Sequence, residues 1–202
     1  DRERHAGSHG SAGLAPSLTA ASHPMSLHDL PGRTFADRAR RVRLLVMDVD
    51  GVLTDGGMYY GEQGEELKKF NTRDGQGIAL VHAAGLQTAI VSQENTPIIT
   101  RRGAKLKVGE VRIGVKDKLA AVREMLASRE MTLDQVAYIG DDLNDYELLC
   151  EVGLAVVVQD ATPKPRSVAH YVTRARGGEG AVRELCELLL ECRDQSDPPD
   201  RG

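Results

Sequence analysis

Tryptophan is absent from the 202 residues, which hold only two Phe and five Tyr. So few rings leave no stacking platform for nucleobases, which single-strand binders build from aromatic side chains. A basic excess is missing too. Lys and Arg number 26 against 30 Asp and Glu, for a formal net charge of -4. Nucleic-acid and anionic-membrane binders show the opposite balance. No apolar run approaches the ~18 residues of a transmembrane helix. The three cysteines, Cys150, Cys186 and Cys192, form no C-x-x-C pair. An odd set without such spacing fits free thiols in a reducing compartment rather than a disulfide framework. A cytoplasmic setting is therefore expected, with neither nucleic acid nor membrane as partner.

Residues 1–36 are rich in Ala, Ser, Gly, His and Pro and carry no apolar periodicity. They read as a disordered tail, as does the polar, Pro-containing stretch 194–202. Between them, residues 37–193 are long enough for one domain with its own core.

Within that domain, short apolar runs alternate with helical patterns. Strands are expected at Val42–Met47, Leu86–Val91, Val136–Ile139, Leu154–Val158 and Tyr171–Thr173. Helices are expected over Asp74–Ala84, from Pro97 to about Leu106, and over Lys116–Arg129, Asp142–Val152 and Ala181–Glu191. Short, wholly apolar strands in strand–helix alternation imply an α/β fold, a parallel sheet covered on both faces. The segment 57–72 breaks the rhythm. Two extended runs flank a GEQGE turn, the pattern of a β-hairpin inserted after the first strand.

Ligands of open α/β sheets bind beyond the carboxyl ends of the strands. There the first strand runs into Asp48-Val49-Asp50-Gly51, the second into Ser92, and the third into Gly140-Asp141-Asp142, with Asp145 close behind. Carboxylates gathered at one edge repel one another, and a hard, oxygen-preferring ion such as Mg²⁺ offsets them. No His/Cys cluster supports zinc. An aspartate beside such an ion can attack phosphorus and form an aspartyl-phosphate. A second acid two residues on can protonate the leaving oxygen and later activate water. Ser92 and Lys118 stand where a hydroxyl and a cation would hold the phosphoryl oxygens. A receiver domain shares these residue types, but there the metal-binding acids precede the phosphorylated Asp.

The ordered set DVDGVLTDG, Ser92, Lys118 and GDDLND resembles the haloacid dehalogenase superfamily of phosphohydrolases over about Arg43 to Glu191. The resemblance implies a Rossmann-like fold with Asp48 as nucleophile and Asp50 as general acid/base. It makes Thr54 and Ser92 phosphoryl-positioning hydroxyls and Lys118 the phosphate-holding lysine. Mg²⁺ would be held by Asp48, the backbone carbonyl of Asp50 and Asp141, with Asp142 or Asp145 assisting through water. The gaps from Asp50 to Ser92 and from Lys118 to Asp141 leave no room for a cap domain. With GEELKKFNTRDGQGI and GGEGAVREL added, the chain is similar to the capless phosphatases of 3-deoxy-2-keto sugar acids. These are homotetramers whose hairpins reach a neighbour's site, which implies that role for segment 57–72.

Members acting on the eight-carbon 3-deoxy-D-manno-octulosonate 8-phosphate carry Ser-Gly-Arg where this chain has Ser92-Gln93-Glu94. Glu94 with Lys105 resembles the pair associated with the nine-carbon 2-keto-3-deoxynononate 9-phosphate, and Glu179 in GGEG points the same way. The expected substrate is therefore the nine-carbon acid, with the eight-carbon acid close behind. Arg73 and Arg102 are candidates to grip its carboxylate, since guanidinium pairs bidentately with it. Asn71, Thr72, Asp74 and Gly75 sit at the hairpin-to-helix junction, where backbone N–H groups can bind an anion. Two other readings stand: a non-catalytic assembly domain, and a phosphohydrolase or phosphomutase for a different small metabolite.

Overall fold

Strand β1, Leu44–Met47, is the centre of the molecule, with all four side chains buried. Around it, in a computed structural model that describes residues 34–194, five further strands complete one sheet. They are β4 (Gln87–Val91), β5 (Glu110–Arg112), β6 (Val136–Gly140), β7 (Leu154–Val157) and β8 (Tyr171–Val172). Their order is β5-β4-β1-β6-β7-β8, and every neighbouring pair is parallel. The expected parallel α/β architecture is present. The tail expected at 194–202 lies outside the described residues beyond Asp194, and the one at 1–36 does so up to residue 33.

The helices are α1 (Phe35–Arg41), α2 (Thr72–Ala83), α3 (Pro97–Lys105), α4 (Lys118–Ala127), α5 (Tyr146–Glu151), α6 (Pro163–Arg166) and α7 (Ala181–Asp194). α7 packs against α1 and α2, while α5 packs against α4 and α6. Right-handed crossovers place the two groups on opposite faces of the sheet. From β1 the chain runs through α2 to β4 on one side, and from β6 it runs through α5 to β7 on the other. A crevice therefore opens between the carboxyl ends of β1 and β6, where the direction of winding reverses.

The inserted hairpin is a separate antiparallel pair, β2 (Tyr59–Gly61) and β3 (Gly64–Leu67). A bridge from Thr54 to Phe70 pins its base to the loop after β1. Met58, Tyr59, Tyr60 and Leu67 are exposed along it. Only this hairpin and α2 lie between β1 and β4, so no cap domain interrupts the described residues.

Four elements depart from expectation. Edge strand β5 was not anticipated, and neither was α1 or α6. The helix expected over Asp142–Val152 is split, with a tight 3₁₀ turn at Leu143–Asp145 preceding α5. Asp142 causes the split, since its carboxylate accepts from the Leu143 amide and closes the turn early. α1 begins at Phe35, inside the stretch expected to be tail, because Thr34 and Asp37 form a reciprocal capping box.

Candidate active site

Asp48 directly follows β1 and still belongs to its ladder, since its amide donates to the Ile139 carbonyl at 3.1 Å. The carboxylate is buried. One oxygen accepts from the Val49 amide at 2.8 Å. The other lies 2.7 Å from Lys118 Nζ. Lys118 opens α4 behind the cap residue Asp117 and is itself buried. Its ammonium also lies 2.6 Å from Asp145 Oδ1, and the Tyr138 hydroxyl donates to that same oxygen at 2.5 Å. Asp145 Oδ2 accepts from the amides of Asp141 and Asp142 at 2.8 and 3.2 Å. With both oxygens engaged, Asp145 shapes the loop after β6 and holds Lys118 in place.

Asp48, Asp141 and Asp145 each offer a carboxylate oxygen, all within 4.8 Å of one another. Burial, reinforced by Asp145, pushes the Asp48 carboxyl from 3.8 up to about 7, although Lys118 pulls the other way. Burial, with Asp48, Asp145 and Asp142 nearby, takes Asp141 up to about 8. Burial works against the charge of Lys118, yet Asp48 and Asp145 together hold its ammonium above the ordinary range. An all-oxygen donor set in which burial pushes the Asp48 and Asp141 carboxyls up fits a hard divalent cation. Gly51, at φ +78°, lets the loop pass directly under the Asp141 carboxylate, where any Cβ would collide.

A cleft of about 630 Å³ opens over these groups. Asp48, Asp50, Ser92, Glu94, Asp141 and Asp142 all line it, as the sequence led one to expect. Gln93 and Asn144 line it too and were not singled out. Asn144 donates to Gln93 at 3.2 Å and so links the loops after β4 and β6. Its place within GDDLND was the available signal.

Other expected residues sit elsewhere. Thr54 is buried, and its hydroxyl accepts from the amides of Gly51 and Gly56 and donates to the Val49 carbonyl. It organises the loop after β1 and does not line the cleft. Asp74 is buried beneath α7, where Oδ1 accepts from the Arg183 amide at 2.9 Å. It anchors that helix N-terminus. Arg102 lies over the Phe70 ring and donates to the Asn71 carbonyl. Asn71 caps α2 and donates to the Gly178 carbonyl. Gly75 packs against Leu106 and Arg102. Thr72, Arg73 and Lys105 are exposed on their helices, outside the cleft lining.

The segment before α7 closes on the loop after β1. Gly178 donates to the Val52 carbonyl at 2.9 Å. A Cβ at Gly177 would strike the Gly51 carbonyl, and one at Gly178 the backbone of Thr54 and Asp55. Glu179, between them and α7, is exposed. Lys68, just beyond β3, is the residue that sequence reasoning missed most clearly. It is buried, and its ammonium sits 2.6 Å from Asp50 Oδ1 and 2.7 Å from Glu65 Oε1.

Known proteins share this arrangement. A family model described as haloacid dehalogenase-like hydrolase matches residues 89–185. A 3-deoxy-D-manno-octulosonate 8-phosphate phosphatase of Yersinia pestis is 47% identical over 158 residues, 78% of this chain and 84% of that protein. A probable YrbI family phosphatase from Pseudomonas syringae superposes with a TM-score of 0.77 at 46% identity, covering 78% of this chain and 90% of the other. The octulosonate 8-phosphate phosphatase of Moraxella catarrhalis, solved with magnesium ion, phosphate ion and KDO, gives a TM-score of 0.77 at 35% identity over 79% and 92% of the two chains. With its acids and lysine gathered at the ends of β1 and β6 and no cap above them, the chain belongs to the haloacid dehalogenase-like hydrolases, among the phosphoric monoester hydrolases of the capless sugar-acid branch.

Proposed function

We propose that this chain hydrolyses the phosphate monoester of a 3-deoxy-2-keto sugar acid through a phosphorylated Asp48. The observation that carries the reading is the convergence of Asp48, Asp141 and Asp145 on one another, with Lys118 paired to Asp48 and Asp145, beneath one open cleft. An Asp48 carboxylate oxygen attacks phosphorus, and the bond from phosphorus to the sugar oxygen breaks. Asp50 gives its proton to that oxygen, so the product leaves as an alcohol. Asp50 then takes a proton from water, whose oxygen attacks the phosphoryl group and releases inorganic phosphate from Asp48. Ser92 and Lys118 orient phosphoryl oxygens, while Asp145 keeps Lys118 directed at Asp48. Asp48, Asp141 and the Asp50 carbonyl would hold Mg²⁺, with Asp142 beside them. When bound, the ion neutralises charge on the phosphoryl group.

The substrate named for the relatives supports 3-deoxy-D-manno-octulosonate 8-phosphate. A second reading, the nine-carbon 2-keto-3-deoxynononate 9-phosphate, is favoured by Glu94 at the cleft, an anion that stands where the octulosonate members carry the Arg of Ser-Gly-Arg. Phosphate release from the two acids, compared as kcat/KM with and without Mg²⁺, decides between them. Asp48→Asn is expected to abolish turnover on both. Near-normal turnover by that variant would remove the nucleophile from the account. The reading extends to assembly. Exposed Met58, Tyr59, Tyr60 and Leu67 on a hairpin without a sheet partner suit burial against neighbouring copies in a homotetramer. Light scattering at the mass of one chain would count against it.

A further inference from the structure

Lys68 has no part in the scheme above, yet among the described residues it is the one cation paired with Asp50. Its ammonium has no exposed surface. It bridges Asp50 Oδ1 at 2.6 Å and Glu65 Oε1 at 2.7 Å. Burying a long lysine costs several kcal/mol unless it is paired. Burial opposes the charge, but Asp50 and Glu65 outweigh it and hold the ammonium above its ordinary range. The other Asp50 oxygen, Oδ2, is buried and has no hydrogen-bond partner among the described residues. The two oxygens of Asp50 are therefore inequivalent. One is fixed by a salt bridge, and the other has no partner holding it among the described residues. The hairpin supplies both Glu65 and Lys68, and the Thr54–Phe70 bridge pins its base beside the nucleophile loop.

We propose that Lys68, held by Glu65, is a positioning residue that clamps Oδ1 of Asp50 and so presents Oδ2 as the oxygen that passes the proton to the leaving sugar oxygen. The inference rests on the phosphatase reading and deepens it. It gives the hairpin a task within its own subunit, the orientation of the acid. In the step concerned, the bond from phosphorus to the sugar oxygen breaks as Asp48 attacks, and the proton on Asp50 Oδ2 ends on the departing oxygen. Asp50 is left as a carboxylate, with both oxygens able to accept.

An acid matters in proportion to how poor the leaving group is. The test therefore compares two esters, 3-deoxy-D-manno-octulosonate 8-phosphate with its alcohol leaving group and 2,4-dinitrophenyl phosphate with its acidic phenol. Wild type, Asp50→Asn, Lys68→Met and Lys68→Arg are assayed with Mg²⁺. Lys68→Met is expected to lose about 100-fold in kcat on the sugar ester and no more than roughly fivefold on the dinitrophenyl ester, the share that general acid catalysis supplies. Asp50→Asn should show the same split more strongly, and Lys68→Arg should restore much of the sugar-ester rate. Equal losses on both esters in Lys68→Met, with the split intact in Asp50→Asn, overturn the clamp and leave the phosphatase reading standing. Wild-type silence on both esters overturns the phosphatase reading and the clamp with it. Glu65→Gln gives the same comparison if Lys68→Met does not fold, and a loss without the split in that variant likewise overturns the clamp.

Discussion

Stripping the divalent ion from this protein should make its stability fall as pH rises through neutrality, and the gap between loaded and stripped protein should widen over the same range. The cause is the pair of raised carboxyls. Burial lifts Asp141 from 3.8 to about 8 and Asp48 from 3.8 to about 7. A group whose pKa is higher in the folded state contributes stability fully present below its unfolded value. That contribution is lost as pH rises through the folded value. For these two acids the window runs from near 4 to near 8. Each unit is worth about 1.4 kcal/mol per site, so Asp141 alone removes up to about 4 kcal/mol between pH 5 and pH 8. A saturating cation acts in the opposite direction, because it binds the ionised forms and its binding energy adds to folding. Urea unfolding at several pH values, with excess Mg²⁺ and with chelator, reads the gap directly. Other titrating groups are common to both conditions and cancel. A gap that stays constant from pH 5 to pH 8, or narrows, would show that Asp141 and Asp48 do not share an ion site.

Lys118→Met leaves Asp48 and Asp145 buried beside each other without their cation. It should cost about 3–5 kcal/mol in urea unfolding at neutral pH, with part recovered in acid where the carboxyls protonate. Asp74→Ala removes the carboxylate that receives the Arg183 amide at the start of α7. Its expected cost is about 1–2 kcal/mol, with KM for the sugar acid phosphate unchanged, and a large rise in KM would return Asp74 to the substrate. Glu94→Arg replaces an anion with a cation at the cleft and should raise kcat/KM for the eight-carbon acid relative to the nine-carbon acid. No change in that ratio would remove Glu94 from specificity.

The parallel sheet was legible because β1, β6 and β7 are uninterrupted apolar runs, buried from end to end. Edge strand β5 was not, because Glu110-Val111-Arg112 is three half-buried residues whose charges pair with each other and with Arg129 and Glu124 at the sheet margin. α1 hid in a basic stretch where only Phe35 and Ala39 turn inward. Within the site, chain position revealed which carboxylates meet, since strand ends share one edge. It did not reveal where hydroxyls and long side chains point. Thr54 looked like a phosphoryl contact and is a loop brace, and Asp74 looked like an anion-site residue and is a helix anchor. Lys68 lies inside the motif GEELKKFNTRDGQGI, where nothing in the sequence singles it out. Only the antiparallel pairing of β2 and β3 and the Thr54–Phe70 bridge bring it to Asp50.

The glycines at 177 and 178 press against the backbone of the loop that follows Asp48, yet more than a hundred residues of chain separate the two. During synthesis the early stretch therefore emerges long before its lid of backbone exists. Strands and helices formed first can collapse into a sheet, but the turn from Asp48 to Thr54 gains its contacts with the segment before α7 only once those glycines have been made. A chain cut short before Gly177 would keep the bonds of Asp48 to β6 and of Thr54 within its loop, yet lack the amide that Gly178 gives to the Val52 carbonyl.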